Sequence, residues 1–245
     1  MKLHDARFCR VRLCPICQWR RSLKTFAQMS QILDLAAKDG YEFLFLTLTM
    51  RNCAADALSA GLTHILLSFN RLMKYKAVSR VCKGFYRGCE VTHNITTDEY
   101  HPHLHVVLAV NQSYFTSRDY LSHDKWVELW RRALQVDYDP VVDIRRCKGG
   151  GKAIAEACKY AVKPSDILNL DDWEMTVDTL RVLDSAFAGR RFIGLGGIFK
   201  DLHKKLHLDD MEDGDFLHIG DDAEASPTDQ EVIYFWNGYS QYERG

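Results

Sequence analysis

Residues 101–105 read HPHLH and run directly into the apolar stretch 106–110. In a strand, alternate residues share a face, so His103 and His105 turn two imidazoles to one side while Leu104 and Val106 turn to the core. Two neutral imidazoles meeting at one point can hold a metal ion, with His101 as a further candidate, although two such histidines can equally be surface residues. A second group is Glu156, Lys159, Tyr160 and Lys163. On a helix, Glu156 lies four residues before Tyr160 and Lys163 three after it, so the three share one face. A phenol with an ordinary pKa of about 10 is a poor nucleophile at neutral pH. It needs a cation on its target, and a metal-polarised phosphate with Lys163 or Lys159 beside it would serve, while Glu156 could activate water. Without the histidines the same face would read as solvated surface.

A third group is Cys9, Cys14 and Cys17, spaced C-x4-C-x2-C. The CPIC pair suits a structural Zn²⁺, which takes four ligands, so the fourth is sought at His4, Cys82 or Cys89. The other reading is a set of reduced thiols beside a basic segment. Arg10, Arg12, Arg20 and Arg21 flank these cysteines and are candidate phosphate contacts.

These groups need elements to position them. Ser22 is the expected N-cap of a helix carrying Leu23, Phe26, Ile32, Leu33 and Ala36 and stopping at Gly40. Residues 42–50, EFLFLTLTM, predict a central strand, with Phe43, Phe45, Thr47 and Thr49 on one face and Leu44, Leu46 and Leu48 on the other. A helix over 56–73 follows. Strands over 84–93 and 103–110, separated by the polar stretch 94–100, form an expected hairpin. Its turn near 96–98 sets Glu90 opposite His103 and His105, adding a carboxylate to the imidazoles; alone, Glu90 would serve equally as a surface carboxylate. A His₂Glu set with open positions suits Mg²⁺ or Mn²⁺. Beyond it come an amphipathic helix carrying Trp126 to Leu134, a short strand over 141–145, a helix over 152–163 ending before Pro164, and a helix over 172–187. Residues 190–202, RRFIGLGGIFKDL, suggest a turn between short strands. The order predicts an α+β fold: a central antiparallel sheet flanked by helices, entered through an N-terminal Cys-rich knuckle.

The chain has 245 residues, 47% of them hydrophobic, enough for one sizeable core. No apolar run reaches the roughly 20 residues of a membrane helix, and the N-terminus lacks a secretory pattern, so no membrane association and a cytoplasmic location are expected. The net charge of −1 hides an asymmetry: residues 206–245 hold eleven acidic side chains and one basic, and the remainder 31 Lys and Arg against 22 Asp and Glu. A positive body suits a phosphate backbone, although charge alone fits ordinary solvated surface as well. The expected division is a knuckle over 1–21, a main domain over 22–208, and an acidic, aromatic tail over 209–245 whose acidic stretch 209–224 is flexible.

The motifs FLTLT (45–49), HPHLHVVL (101–108) and EACKYAVK (156–163), in that order, with the cysteine segment FCRVRLCPICQWRR (8–21), resemble the replication initiators of small rolling-circle plasmids. These belong to the HUH endonucleases, single-strand nucleases with a palm of RRM or ferredoxin-like type. The resemblance spans about residues 8–165, and 190–202 is also similar to the family's downstream segment. It implies a site-specific nick at a single-stranded or hairpin origin, with His103 and His105 binding the metal. Tyr160 would form a 5′-phosphotyrosine link and leave a 3′-OH primer for host polymerase and helicase. It further implies that Glu156 replaces the tyrosine by water at termination, as in the single-tyrosine subgroup. A transposase or mobilisation relaxase shares this chemistry, and a noncatalytic zinc-containing DNA-binding protein would share the charge.

Overall fold

The computed structural model describes residues 9–147, 162–212, 234–236 and 242–244. Its first element, α1 (Pro15–Lys38), starts earlier than expected. Proline lacks the N–H that a helix leaves unpaired at its first position, so the CPIC segment itself opens the helix, with Cys14 as N-cap. Ser22 is therefore interior, and its hydroxyl donates to Trp19 O at 2.7 Å. The cysteine knuckle and α1 are continuous in backbone.

Strand β1 (Tyr41–Thr49) is followed by α2 (Leu58–Lys74), α3 (Lys76–Val81), β2 (Cys82–Asn94), β3 (Glu99–Asn111), α4 (His123–Leu134) and β4 (Val142–Arg146). After the undescribed stretch come a 3-10 turn (Pro164–Asp166), α5 (Trp173–Phe187), β5 (Ile193–Gly197) and α6 (Ile198–Lys205). Side-chain caps fix two helix starts: Ser122 accepts from Lys125 N and Asp172 from Met175 N. A separate antiparallel pair joins β6 (Tyr234–Trp236) and β7 (Tyr242–Arg244). The expected helix over 152–163 falls almost wholly outside the described residues.

The main sheet has the order β4-β1-β3-β2-β5 with every neighbouring pair antiparallel. This is the expected α+β fold. The hairpin strands are longer than predicted, and only residues 95–98 form the loop; Asn94 Oδ1 accepts from Thr96 N and Thr97 N, and Asp98 takes φ +51°. Pro102 therefore sits inside a central strand. The position tolerates it because β1 pairing ends at His103 and the next contact on that side is the bridge from Tyr100 to Cys53, so the missing N–H falls in a gap.

One face of the sheet is largely apolar. Leu44, Leu46, Leu48, Val91, Leu104, Val106 and Leu108 bury against Leu62, Ile65 and Phe69 of α2, Trp126 and Trp130 of α4, and Leu183 and Phe187 of α5. The other face is apolar over half its length. There Phe43, Phe45, Tyr86, Val107 and Ala109 bury against Met29, Ile32 and Ala36 of α1 and Phe199 and Leu202 of α6. The rest of that face carries Thr47, Thr49, Glu90, His103 and His105.

Two downstream expectations change. Residues 190–202 form one strand and then a helix, because Gly197 adopts φ +55° and ψ −143° and turns the chain straight from β5 into α6. Residues 209–212 are docked: Met211 is buried, Asp209 O accepts from Gln28 Nε2, and Glu212 accepts from Ile193 N at 2.7 Å and from Phe192 N. Residues 213–224, the remainder of the acidic stretch, lie outside the described residues.

A Cβ at Gly197 would fall 2.2 Å from Lys83 O, in a backbone region that essentially only glycine enters. Gly197→Ala should destabilise the fold by roughly 3 kcal/mol, read as a lowered urea midpoint with an unchanged slope.

Candidate metal centre and active site

The pairing of β2 with β3 sets Glu90 directly across from His103, and Gly88 across from His105. β1 lies on the other side, with Thr49 across from His103 and Thr47 across from His105. Glu90, His103 and His105 thus share one face, and their candidate ligand atoms all lie within 4.8 Å of one another. All three are buried, at 3%, 8% and 6% exposure. The His₂Glu cluster expected from the hairpin is present.

Its hydrogen bonds indicate what it can hold. His103 Nδ1 lies 3.1 Å from His101 O; a carbonyl only accepts, so Nδ1 carries the proton. Nε2 then faces Glu90 Oε2 at 3.3 Å, acceptor to acceptor, unless a proton or a metal ion lies between. His105 Nε2 is 2.9 Å from the same oxygen, and its Nδ1 is 3.4 Å from Thr47 Oγ1. The ring is held further by stacking on Phe45 at 5.6 Å, with Arg145 over the far ring at 5.3 Å. Burial by itself would raise the Glu90 pKa. The hydrogen bonds and charges of His103 and His105 outweigh it and hold the carboxyl well below the usual carboxylate range.

Glu90 Oε1 is buried without a hydrogen-bond partner, and its nearest cation is Lys163 Nζ at 3.6 Å. An ionised, buried, half-satisfied carboxylate between two imidazoles fits a divalent ion. His101 lies on the same face but outside the ligand set. Its ring stacks on His103 at 5.4 Å, its Nδ1 is 2.8 Å from Asn52 Oδ1, and burial, then the charge of His103, lowers its pKa.

Lys163 is the member of the tyrosine group that the structure describes; Glu156, Lys159 and Tyr160 lie outside the described residues. The chain returns at Val162, which is fully buried, and turns at residues 164–166. His93 pins that turn: its Nδ1 is 3.2 Å from Asp166 O and its Nε2 is 2.9 Å from Asp98 Oδ1. Sequence reasoning missed His93, Thr47 and Asn52. Thr47 carried a signal, since it shares the strand face with Thr49 in FLTLT; Asn52 carried none, because His101 is 49 residues away, nor did the link from His93 to Asp166, 73 residues on.

Cys9, Cys14 and Cys17 form the other ligand cluster among the described residues, with Cys9 and Cys17 Sγ 3.5 Å apart. For Cys14 burial opposes ionisation, but hydrogen bonds led by the backbone N–H of Cys17 at the start of α1 win and lower its pKa. Burial, a hydrogen bond with Cys9 and the nearby thiolate charges push Cys17 up to about 12. Three thiols so close could ionise together only around a cation, which fits a zinc site. Cys82 and Cys89 do not join it. Burial pushes both thiols up to about 12, and both lie outside the three-sulfur cluster; His4 lies outside the described residues.

Of the four arginines, Arg12 donates to Phe187 O and Arg190 O and lies over the Phe192 ring, tying the knuckle to the end of α5. Arg10 is exposed, and Arg20 and Arg21 are partly buried on α1. No described helix is long and apolar enough to cross a membrane.

The profile of the replication-protein family Rep_1 matches residues 1–243. The chain belongs to this family. It is 39% identical over 261 residues to "Protein rep" of Bacillus amyloliquefaciens, covering 97% of this chain and 76% of that one. It is 39% identical over 252 residues to "Protein rep" of Streptococcus pneumoniae serotype 2, covering 98% and 76%. It is 35% identical over 209 residues to "Replication protein" of Staphylococcus aureus, covering 82% and 88%. No solved structure matches. The resemblance to replication initiators read from the motifs is upheld across nearly the whole chain.

The ligand geometry predicts that Mn²⁺ raises the melting temperature of the wild-type chain. The gain should approach about 2.7 kcal/mol at a concentration 100-fold above Kd. His103→Ala and His105→Ala should lose that gain in differential scanning fluorimetry, and a gain retained in both would exclude the cluster as the binding site.

Proposed function

We propose that this chain is a plasmid replication initiator that nicks one DNA strand at its origin, with Tyr160 as nucleophile and Glu90, His103 and His105 as holders of Mg²⁺ or Mn²⁺. The observation that carries the reading is the buried Glu90–His103–His105 cluster in a member of the replication-protein family. Lys163, three residues beyond Tyr160 in the chain, reaches this cluster. A divalent ion supplies charge neutralisation at a phosphate, making phosphorus the better electrophile.

The phenol oxygen of Tyr160 attacks phosphorus, the 3′ oxygen of the preceding nucleotide leaves, and the phenol proton passes to solvent or to a neighbouring base. One phosphodiester is exchanged for another, so the bond energy is kept in the 5′-phosphotyrosine link and the free 3′-OH primes synthesis. Lys163 and Lys159 stabilise the phenolate and the phosphate oxygens. At termination Glu156 takes a proton from water, which replaces the tyrosine as nucleophile, so the last cleavage is hydrolytic and frees a 3′-OH. That hydroxyl attacks the phosphotyrosine, the Tyr160 phenolate leaves and takes up a proton, and the strand is closed and the enzyme released. Cys9, Cys14 and Cys17 hold Zn²⁺ with His4 as the candidate fourth ligand, and Arg10, Arg20 and Arg21 approach the phosphate backbone of single-stranded or hairpin origin DNA. Host helicase and polymerase act on the product, and the substrate places the chain in the cytoplasm. Family membership favours initiation over transposition, mobilisation or noncatalytic binding.

Incubation with a single-stranded origin oligonucleotide and Mn²⁺ should give a slow protein–DNA band on a denaturing gel. The band should vanish with EDTA and in Tyr160→Phe, which should still bind DNA. Glu156→Ala should form the adduct and fail in hydrolytic release; loss of both steps would remove Glu156 from its assigned role.

A further inference from the structure

Three residues, Met50, Arg51 and Asn52, arch between the end of β1 and the bridge at Cys53. The arch is fixed at both ends. Thr49 pairs with His103, its N–H and hydroxyl donate to Val141 O at 3.3 Å and 2.9 Å, and its carbonyl accepts from Trp130 Nε1 at 2.7 Å. Cys53 exchanges two backbone hydrogen bonds of 2.8 Å with Tyr100. The arch also touches the candidate metal centre. Asn52 Oδ1 lies 2.8 Å from His101 Nδ1, and the His101 ring stacks on His103 at 5.4 Å. Exposure rises along this line: His103 is buried, His101 half-buried, and Asn52 and Arg51 exposed. A path over the protein surface therefore leads from the candidate ligands to Arg51.

Arg51 is held ready at the end of that path. Its backbone N–H donates to the Tyr138 hydroxyl at 3.0 Å, and its guanidinium lies over the ring of the same tyrosine at 3.9 Å. Two contacts to one side chain restrict the arginine's arrangement, and the ring takes the face of the guanidinium while leaving its N–H edge for acceptors. Arg80, Arg131, Arg146, Arg181 and Arg191 each meet a carboxylate instead. Among the described residues Arg51 meets none. Glu99, the acid beside the arch, hydrogen-bonds Asn52 at 3.1 Å and Thr97 at 3.4 Å.

We propose that Arg51, backed by Tyr138, takes a phosphate next to the scissile one and so fixes the strand on the metal centre. This rests on the nicking function above and extends it from where the strand is cut to how it is held. A planar guanidinium grips two phosphate oxygens through parallel N–H groups, and a neighbour held in this way aligns the reacting phosphodiester for attack. The contact is to the backbone, so it positions the strand without reading its sequence.

The test uses the full chain in a Tyr160→Phe background, so that bound strands stay uncut, and an origin strand whose nick has been mapped with the wild type. Binding with Mn²⁺ is read by fluorescence anisotropy on strands that each carry one uncharged methylphosphonate. Arg51→Gln should weaken binding of the unmodified strand about tenfold, the lower end for a hydrogen bond to a charged group, and reduce the salt dependence by about 0.7 in slope. Neutralising one of the two phosphates that flank the nick should cost the parent about as much and cost Arg51→Gln nothing further. Arg51→Lys, which keeps the charge and loses the fork, should fall between the two and respond to the same phosphate, so it carries the test if Arg51→Gln unfolds. Arg132→Gln is the control: Arg132 lies over Tyr75 at 4.7 Å on α4, which packs on the other face of the sheet, and its loss should change the response at no phosphate. Unchanged affinity in Arg51→Gln, or losses that add at every phosphate, would overturn the inference, and a wild type that still nicks would leave the nicking function standing. A response confined to phosphates remote from the nick would overturn it as well. A wild type that neither binds nor nicks any origin strand would remove the nicking function and this contact with it.

Discussion

A carboxylate as buried as Glu90 would ordinarily take up a proton, since burial disfavours its charge. It stays ionised because His103 and His105 both reach one of its oxygens, and that requires three side chains from two strands to meet at one point. Strand pairing meets the requirement only in one register: a slip of one residue would carry Glu90 to the opposite face of the sheet. The register is held from behind. Val91, Leu104 and Val106, which alternate with the site residues, are fully buried against α2, α4 and α5. The centre's geometry is thus set by an apolar core on the face it does not occupy.

The hairpin turn contributes a second restraint, and the same residues link it to the turn that follows Lys163. Asp98 occupies the left-handed conformation at the tip and accepts from the His93 ring, whose other nitrogen meets Asp166 O in the turn just after Lys163. Stacking of His93 on Tyr100 at 4.3 Å keeps the ring in place. The turn after Lys163 is therefore fastened to the hairpin that carries the candidate metal ligands. Two parts of the candidate site distant in sequence are referred to one rigid unit.

Much of this was legible because it is local or alternates. The parity of residues 103 and 105 and the opposite faces of Leu44 and Phe43 follow from a period of two, the hairpin turn follows from the polar stretch 94–100, and the turn then brings Glu90 within reach. Thr47 as the partner of His105 was not legible, because β1 meets β3 across some 50 intervening residues and no local pattern fixes that register. The start of α1 was missed for the opposite reason: Ser22 is a good N-cap by type, but Pro15 is a better first residue by geometry, and the cysteines that suggested a separate knuckle are its first turn. Cys82 and Cys89 were plausible ligands by type alone. Both lie in β2 away from the three-sulfur cluster, and only the fold shows where a strand cysteine stands.

Lys163, in the proposed mechanism the cation beside the phenol, is loosely tied. Its contact with Glu90 is 3.6 Å long and 44% of its side chain is exposed, and a pair of that kind contributes little in water. The two imidazoles hold the same carboxylate at 3.3 Å and 2.9 Å in burial, where charge is far less screened. Glu90 is therefore committed to the histidines and the ammonium is not committed to Glu90. A lysine left free to turn toward a phosphate, three residues from the proposed nucleophile and beside a fixed ligand set, is what transfer of a phosphodiester to a phenol requires: rigid donors around the ion and a mobile charge for the oxygens that move.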